Sequence, residues 1–139
     1  MPFHVAFTID ISAIYMAISG LFLVELSLDV IRGRWKYQES YEEGGLGDRQ
    51  EDPLSRRIRV HANAAEYFPV ALLLLVAVEN IVAINWVVHT LGVLLIVSRF
   101  THAVGLRGMA GESLPRILGT AGTLTMISVA AILVLVNSF

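Results

Sequence analysis

The chain contains no cysteine, which excludes disulfides, a thiolate metal site and a cysteine nucleophile; any thiol chemistry must use a thiol brought by a ligand. It is also poor in charge. Only 16% of residues are Asp, Glu, Lys or Arg, against roughly 25% in a soluble domain. With a net charge of −2 and no basic tract, nothing suggests a nucleic-acid partner. No Lys or Arg precedes the first apolar run and no small-residue cleavage site stands out, so that run is expected to be a retained span and not a removed signal peptide. There is no internal repeat and no low-complexity segment.

What the chain does have is apolar length. It is 55% hydrophobic over 139 residues, with mean hydropathy +0.67. That length holds about four spans of ~20 residues with short connections. The expected fold is an all-α integral membrane four-helix bundle, one domain over residues 1–139. Its spans are expected at about 5–31, 54–79, 84–104 and 114–136.

Several local signals set these limits. Span 1 is expected to end near Arg32-Gly33-Arg34, before a polar, Gly- and acid-rich connection. Asp52-Pro53 reads as a helix start, Asp as a cap and Pro at the first helical position. Pro69 falls inside span 2, where it removes one backbone hydrogen bond and is expected to kink the helix. Asn80 and Asn85 bracket a short turn, Gly105 reads as the C-terminal cap of span 3, and Ser113 with Pro115 opens span 4.

All ten Lys and Arg then fall on one side. Arg32, Arg34, Lys36, Arg49, Arg56, Arg57 and Arg59 lie in or beside the first loop, and Arg99, Arg107 and Arg116 beside the third. By the positive-inside rule those two loops are expected to be cytoplasmic and both termini to face the opposite side.

The most informative segment is Arg59-Val-His-Ala-Asn63-Ala-Ala-Glu66-Tyr-Phe-Pro69, which runs directly into the apolar stretch 70–78. At 100° per residue, Arg59, Asn63 and Glu66 fall within about 60° of one another and form one narrow polar stripe. A charge at the centre of a membrane helix costs roughly 2.5–3.5 kcal/mol even on the lenient insertion scale. Such a stripe is tolerated where it faces protein or a wet cavity, so it is a site candidate on physical grounds.

The other spans echo it. Glu25, Asp29 and Arg32 share a face of span 1, Arg99 and His102 a face of span 3, and Arg116, Thr120 and Thr123 a face of span 4. All lie toward the same end, where the N-termini of spans 2 and 4 add partial positive charge. Packed together they would make a cationic, hydrogen-bonding pocket suited to an anionic ligand with carboxylates, and able to favour a ligand thiolate.

Plainer readings compete. Arg99 is near enough to a helix end to snorkel to the headgroups. Glu25 and Asp29 can be structural ion-pair partners. His61 points away from the Arg59 stripe and reads as interfacial, while His89 reads as a packed residue bonded to a neighbouring helix. Thr120 and Thr123 are the kind of residue that packs helices together. Trp35, Tyr37 and Tyr41 read as an interfacial aromatic belt. No histidine and carboxylate pair has metal-ligand spacing.

The Arg59-x-x-x-Asn63-x-x-Glu66-Tyr67-Phe68-Pro69 segment resembles the second-helix motif of the MAPEG superfamily, the membrane-associated proteins in eicosanoid and glutathione metabolism, above all its form in leukotriene C4 synthase. Val30-Ile31-Arg32-Gly33-Arg34 is similar to the end of the family's first helix. Ser98-Arg99-x-x-His102 and Pro115-Arg116 resemble the third- and fourth-helix segments of microsomal prostaglandin E synthase. The resemblance covers essentially the whole chain. It implies a homotrimer that binds glutathione between subunits. Arg59, Asn63 and Glu66 would hold the ligand's polar ends, Arg99 would help, Arg32 or Arg34 would contribute from span 1, and Arg116 would stabilise the thiolate as the catalytic residue. The eicosanoid enzymes carry tyrosines near the ligand on spans 3 and 4, where this chain has none, and Ile117 stands where the prostaglandin synthase has serine.

The implied activity is therefore that of a microsomal glutathione transferase. It would conjugate glutathione to a lipophilic small molecule or reduce a lipid hydroperoxide, with membrane lipid and further copies of itself as partners. The alternative is a non-catalytic protein of the same fold that binds a lipid or a protein. A small transporter or channel subunit would also explain buried charge, but the discontinuous-helix signals of transporters are missing.

Overall fold

Four long helices account for nearly every residue in the computed structural model, which describes residues 7–37, 53–108 and 113–139. They are α1 (Asp10–Tyr37), α2 (Pro53–Ile81), α3 (Asn85–Gly108) and α4 (Leu114–Asn137). Each is long and apolar enough to cross a membrane.

The helices differ from the expected spans mainly at their ends. α1 starts at Asp10, five residues after Val5, and passes through Gly33 to Tyr37. Gly33 does not stop it because that glycine serves packing: a Cβ there would lie 3.0 Å from both Arg57 Cδ and Leu54 Cδ1. Arg34 and Lys36 in the last turn suit the negative end of the helix dipole. Gly105 is likewise inside α3 and not its cap; a Cβ on it would collide with the backbone nitrogen of Arg116. α2 does begin at Pro53, and Pro69 lies within the continuous helix. Asp52, Tyr41 and the side chain of Tyr37 lie outside the described residues. The turn after α2 places Ala83 in the left-handed region, φ 53°.

Packing follows the stripes. On α2, Val60, Ala64, Phe68, Ala71, Leu75 and Val78 repeat at helical spacing and are buried. They meet Leu26 of α1, Leu91 and Leu95 of α3, and Met126 and Ala130 of α4 in one core. α3 and α4 pack most closely, through small residues: a Cβ on Gly119 would lie 2.5 Å from the His102 nitrogen, and one on Gly122 would strike Ser98. α2 and α3 form the centre, with α1 and α4 on the outside. Among the described residues α1 and α4 do not touch.

The N-terminus of α1 is pinned by the far end of α2. The Glu79 carboxylate accepts the Ile11 N–H (2.7 Å), the Ser12 N–H (2.9 Å) and the Ser12 hydroxyl. Asn80 accepts the Thr8 N–H (2.9 Å) and donates to the Thr8 carbonyl (2.7 Å). A helix cap normally comes from the helix's own flank; here a neighbouring helix supplies it. The Tyr15 hydroxyl lies 3.0 Å from His89 Nδ1 and donates to the His89 carbonyl (3.1 Å). His89 is thus bonded to a neighbouring helix, as its sequence context suggests, but it is exposed and not packed in the core.

Candidate functional site

The polar stripe of α2 opens into a groove shared with α3 and α4. Arg59, Ala62, Asn63 and Glu66 form one wall, His102 and Leu106 of α3 the floor, and Arg116 of α4 the other wall, around a volume of about 300 Å³. Arg59 and Glu66 are exposed, and Asn63 and Arg116 half-buried. This spread follows from the helix period: the core stripe of α2 runs through Val60, Ala64 and Phe68, so residues 59, 63 and 66 sit on its flank.

Arg99 takes a different position from its neighbours. It is only 2% exposed and lies behind the groove. Its Nη2 donates to Asn63 Oδ1 at 2.5 Å, and its guanidinium stands 5.2 Å from the centre of the Tyr67 ring. Nε and Nη1 have no partner among the described residues. Arg99 therefore does not snorkel. It fixes the orientation of the Asn63 amide by occupying its oxygen, so that the NH2 is the group this amide has left to offer as a donor.

His102 is held from α4. Its Nδ1 lies 3.1 Å from Thr120 Oγ1 and 3.3 Å from the Arg116 carbonyl, and its Nε2 is buried without a partner among the described residues. The Thr120 hydroxyl is 2.9 Å from that same carbonyl. Arg116 lies in the first turn of α4, after Ser113 in extended conformation and beside Pro115. Ser113 is the N-cap residue, as its position suggests, yet its hydroxyl makes no cap bond and donates to the Gly105 carbonyl of α3 (3.1 Å). The helix start and the guanidinium both place positive charge at the groove. A second, largely apolar groove of about 350 Å³ continues along α4 through Ile117, Ala121 and Leu124, and it shares Arg116 with the first.

The model of the MAPEG family matches residues 12–136, all four helices. The chain belongs to the MAPEG family. Among named proteins it is similar to the inner membrane protein YecN of Escherichia coli, in strain K12 and in strain O6:H1 (CFT073) alike: 38% identity over 95 residues, 68% of this chain and 69% of YecN. Four apolar helices and an inner-membrane relative mark this MAPEG protein as an integral membrane protein.

Not every residue singled out in this MAPEG sequence reaches the groove. Arg32 is exposed on α1 and pairs with Glu25 at 3.3 Å. Arg34 borders a separate groove of about 420 Å³ between α1 and α2, with Ser27, Ile31 and His61. His61 lies 3.0 Å from the Ser27 hydroxyl. Asp29 joins three helices through Arg57 (2.5 Å) and Arg107 (2.9 Å). Two residues carry more than their sequence context suggested. His102 reads as an isolated histidine, and only its spacing from Arg99 hinted at the groove. Glu79 gave no signal, because its partners are the first-turn amides of a helix 67 residues away.

Proposed function

We propose that this MAPEG protein is a membrane-bound, glutathione-dependent transferase or hydroperoxide reductase that works as a homotrimer. The observation that carries the reading is the meeting of the two grooves at Arg116: one polar and cationic, the other apolar. Glutathione, when bound, supplies a thiol whose sulfur bonds to an electrophilic carbon as the leaving group departs with its electron pair, or which, two molecules per hydroperoxide, yields alcohol, glutathione disulfide and water. Glu66 accepts the ligand's amino group and Arg59 pairs with a carboxylate. Asn63, held by Arg99, donates to a peptide carbonyl. Arg116, aided by the start of α4, favours the thiolate over the thiol and lets the proton leave to water. The apolar groove along Ile117 and Leu124 receives the lipophilic partner.

Two features of the same geometry support the trimer. The groove is open where Arg59 and Glu66 are exposed, and α1 does not touch α4 within one subunit. A neighbouring copy then closes it and brings Arg32 or Arg34 to the ligand. The clustering of basic residues supports a cytoplasmic side for the first and third loops.

Glutathione titration of the purified, detergent-solubilised protein tests the reading, followed by calorimetry and by the ultraviolet band of the thiolate. Binding with a thiolate signal at neutral pH is expected. No binding at millimolar glutathione would reject catalysis and favour a non-catalytic MAPEG protein that binds a lipid or a protein. The tie between Arg99 and Asn63 fits that second reading as well, since it satisfies part of the polar stripe without any ligand.

A further inference from the structure

A second charged cavity lies where the end of α1, the start of α2 and the end of α3 meet. It has a volume of about 280 Å³, is lined by Asp29, Pro53, Arg56, Arg57 and Arg107, and shares no residue with the groove of Arg59 and Arg116. Three guanidiniums face one carboxylate, so the described lining carries a net charge of +2. The carboxylate is already engaged at both oxygens: Oδ1 with Arg57 at 2.5 Å and Oδ2 with Arg107 at 2.9 Å. Arg57 also donates to the Asp29 backbone carbonyl at 3.2 Å, and its side chain crosses Gly33 where a Cβ would crowd it. Asp29 thus acts as a clamp that orients two arginines. Arg56 has no ion-pair partner among the described residues, and its buried Nε has no hydrogen-bond partner among them.

Planar forks converging on one point suit an oxyanion that accepts several bonds at once, and phosphate does this better than a single carboxylate. The surroundings indicate the source. On α3, Val93, Val97, Phe100 and Val104 are 51–61% exposed and recur at helical spacing, so with Arg107 they form one stripe. The fourteen steps from Val93 to Arg107 extend about 21 Å, more than the ~15 Å of one leaflet's hydrocarbon. An apolar track of acyl-chain length therefore ends at a guanidinium of the cavity.

We propose that Arg56, Arg57 and Arg107, clamped around Asp29, bind a phosphate group, supplied by the headgroup of an anionic phospholipid whose chain lies along the α3 stripe. The site is independent of glutathione. A zwitterionic headgroup is a poorer occupant, because its ammonium would approach the same three arginines.

Native mass spectrometry of the full-length protein, titrated with phosphatidylglycerol, phosphatidylcholine or inorganic phosphate, tests this. Phosphatidylglycerol is expected to bind at least tenfold more tightly than phosphatidylcholine. Arg56→Gln, which breaks no ion pair among the described residues, is expected to weaken phosphatidylglycerol binding about tenfold, the scale of one charge-assisted hydrogen bond. Circular dichroism should show that variant still helical. Arg32→Gln removes an equal charge from the same end of α1 outside the cavity, and should leave lipid binding unchanged. Displacement of the lipid by millimolar inorganic phosphate would keep the phosphate site and assign it a soluble source too; no displacement assigns it to lipid alone. Equal binding of the two lipids, or equal loss in Arg32→Gln and Arg56→Gln, would overturn the proposal in favour of a diffuse positive surface.

Discussion

Arg99 shows how the bundle tolerates a charge among its helices. Its guanidinium is shielded from lipid by α2 and α3, bonded to Asn63 and faced by the Tyr67 ring. A charge in that position is usually functional, because the cost of keeping it is several kcal/mol. Here its effect is indirect: it sets the Asn63 amide, while Arg59, Glu66 and Arg116 border the open space. Distinct roles predict distinct phenotypes. Arg116→Leu should abolish the glutathione thiolate band and leave much of the binding, because it removes the cation beside the sulfur but none of the groups that grip the peptide. Glu66→Gln should keep the thiolate band at saturation but raise the dissociation constant about tenfold or more, the value of one charge-assisted bond of roughly 1.5–3 kcal/mol. Paired titrations by calorimetry and ultraviolet difference spectra check both, and identical behaviour of the two variants would refute the division of labour. The α2 stripe was legible in the sequence because two charges and an amide at i, i+4 and i+7 in an apolar helix have few explanations. The burial of Arg99 and the bonds of His102 were not, since both depend on which face of α3 turns toward α2 and α4.

At the level of elements, glycine was the least readable residue. Gly33 and Gly105 look like helix ends, yet both sit inside helices because another helix leaves no room for a Cβ. A sequence shows that a residue lacks a side chain; it does not show what occupies the vacant space. The anchoring of α1 was hidden for a related reason. Its first-turn amides at Ile11 and Ser12 use Glu79, and Thr8 just ahead of them uses Asn80, both at the end of α2. Glu79 is 7% exposed, so its loss leaves those amides unpaired near the apolar region. Glu79→Ala should destabilise the bundle by about 2 kcal/mol, at the upper end of cap substitutions. Glu79→Gln, which keeps one acceptor oxygen, should cost less. Unfolding midpoints in detergent read the ranking, and hydrogen exchange should show Ile11 and Ser12 losing protection first. Uniform loss of protection across all four helices would argue against a local anchor.

For the molecule as a whole, the four-span all-α architecture was legible because bilayer thickness fixes the length of an apolar run. The order of packing was not, because every helix is apolar on more than one side. The observed order, with α1 and α4 apart, bears on assembly. Arg32 and Arg34 stand on α1, away from Arg116, and large apolar side chains such as Leu21, Leu73 and Leu135 are at least 60% exposed in the single subunit. Native mass spectrometry in mild detergent should find three copies per particle; monomers alone would leave the groove without its α1 arginines.

Topology gives the sharpest test of the whole arrangement. The described basic residues cluster at one end of the bundle: Arg32 and Arg34 end α1, Arg56 and Arg57 open α2, Arg107 ends α3 and Arg116 opens α4. The opposite end, with Thr8, Asn80, Asn85 and Asn137, has none among the described residues. Lys and Arg near short loops resist translocation, so the basic end should stay in the cytoplasm. A reporter active only outside the cytoplasm should therefore be active when fused after Phe139 and inactive when inserted at 42–48. Adding lysines near Asn80 and Asn85 should lower the signal at Phe139, because the bias between the two sides would shrink. An inactive fusion at Phe139 together with an active one at 42–48 would invert the protein. Arg116 and the cationic groove would then face away from the cytoplasm, and the proposal of cytoplasmic glutathione as the co-substrate would have to be given up.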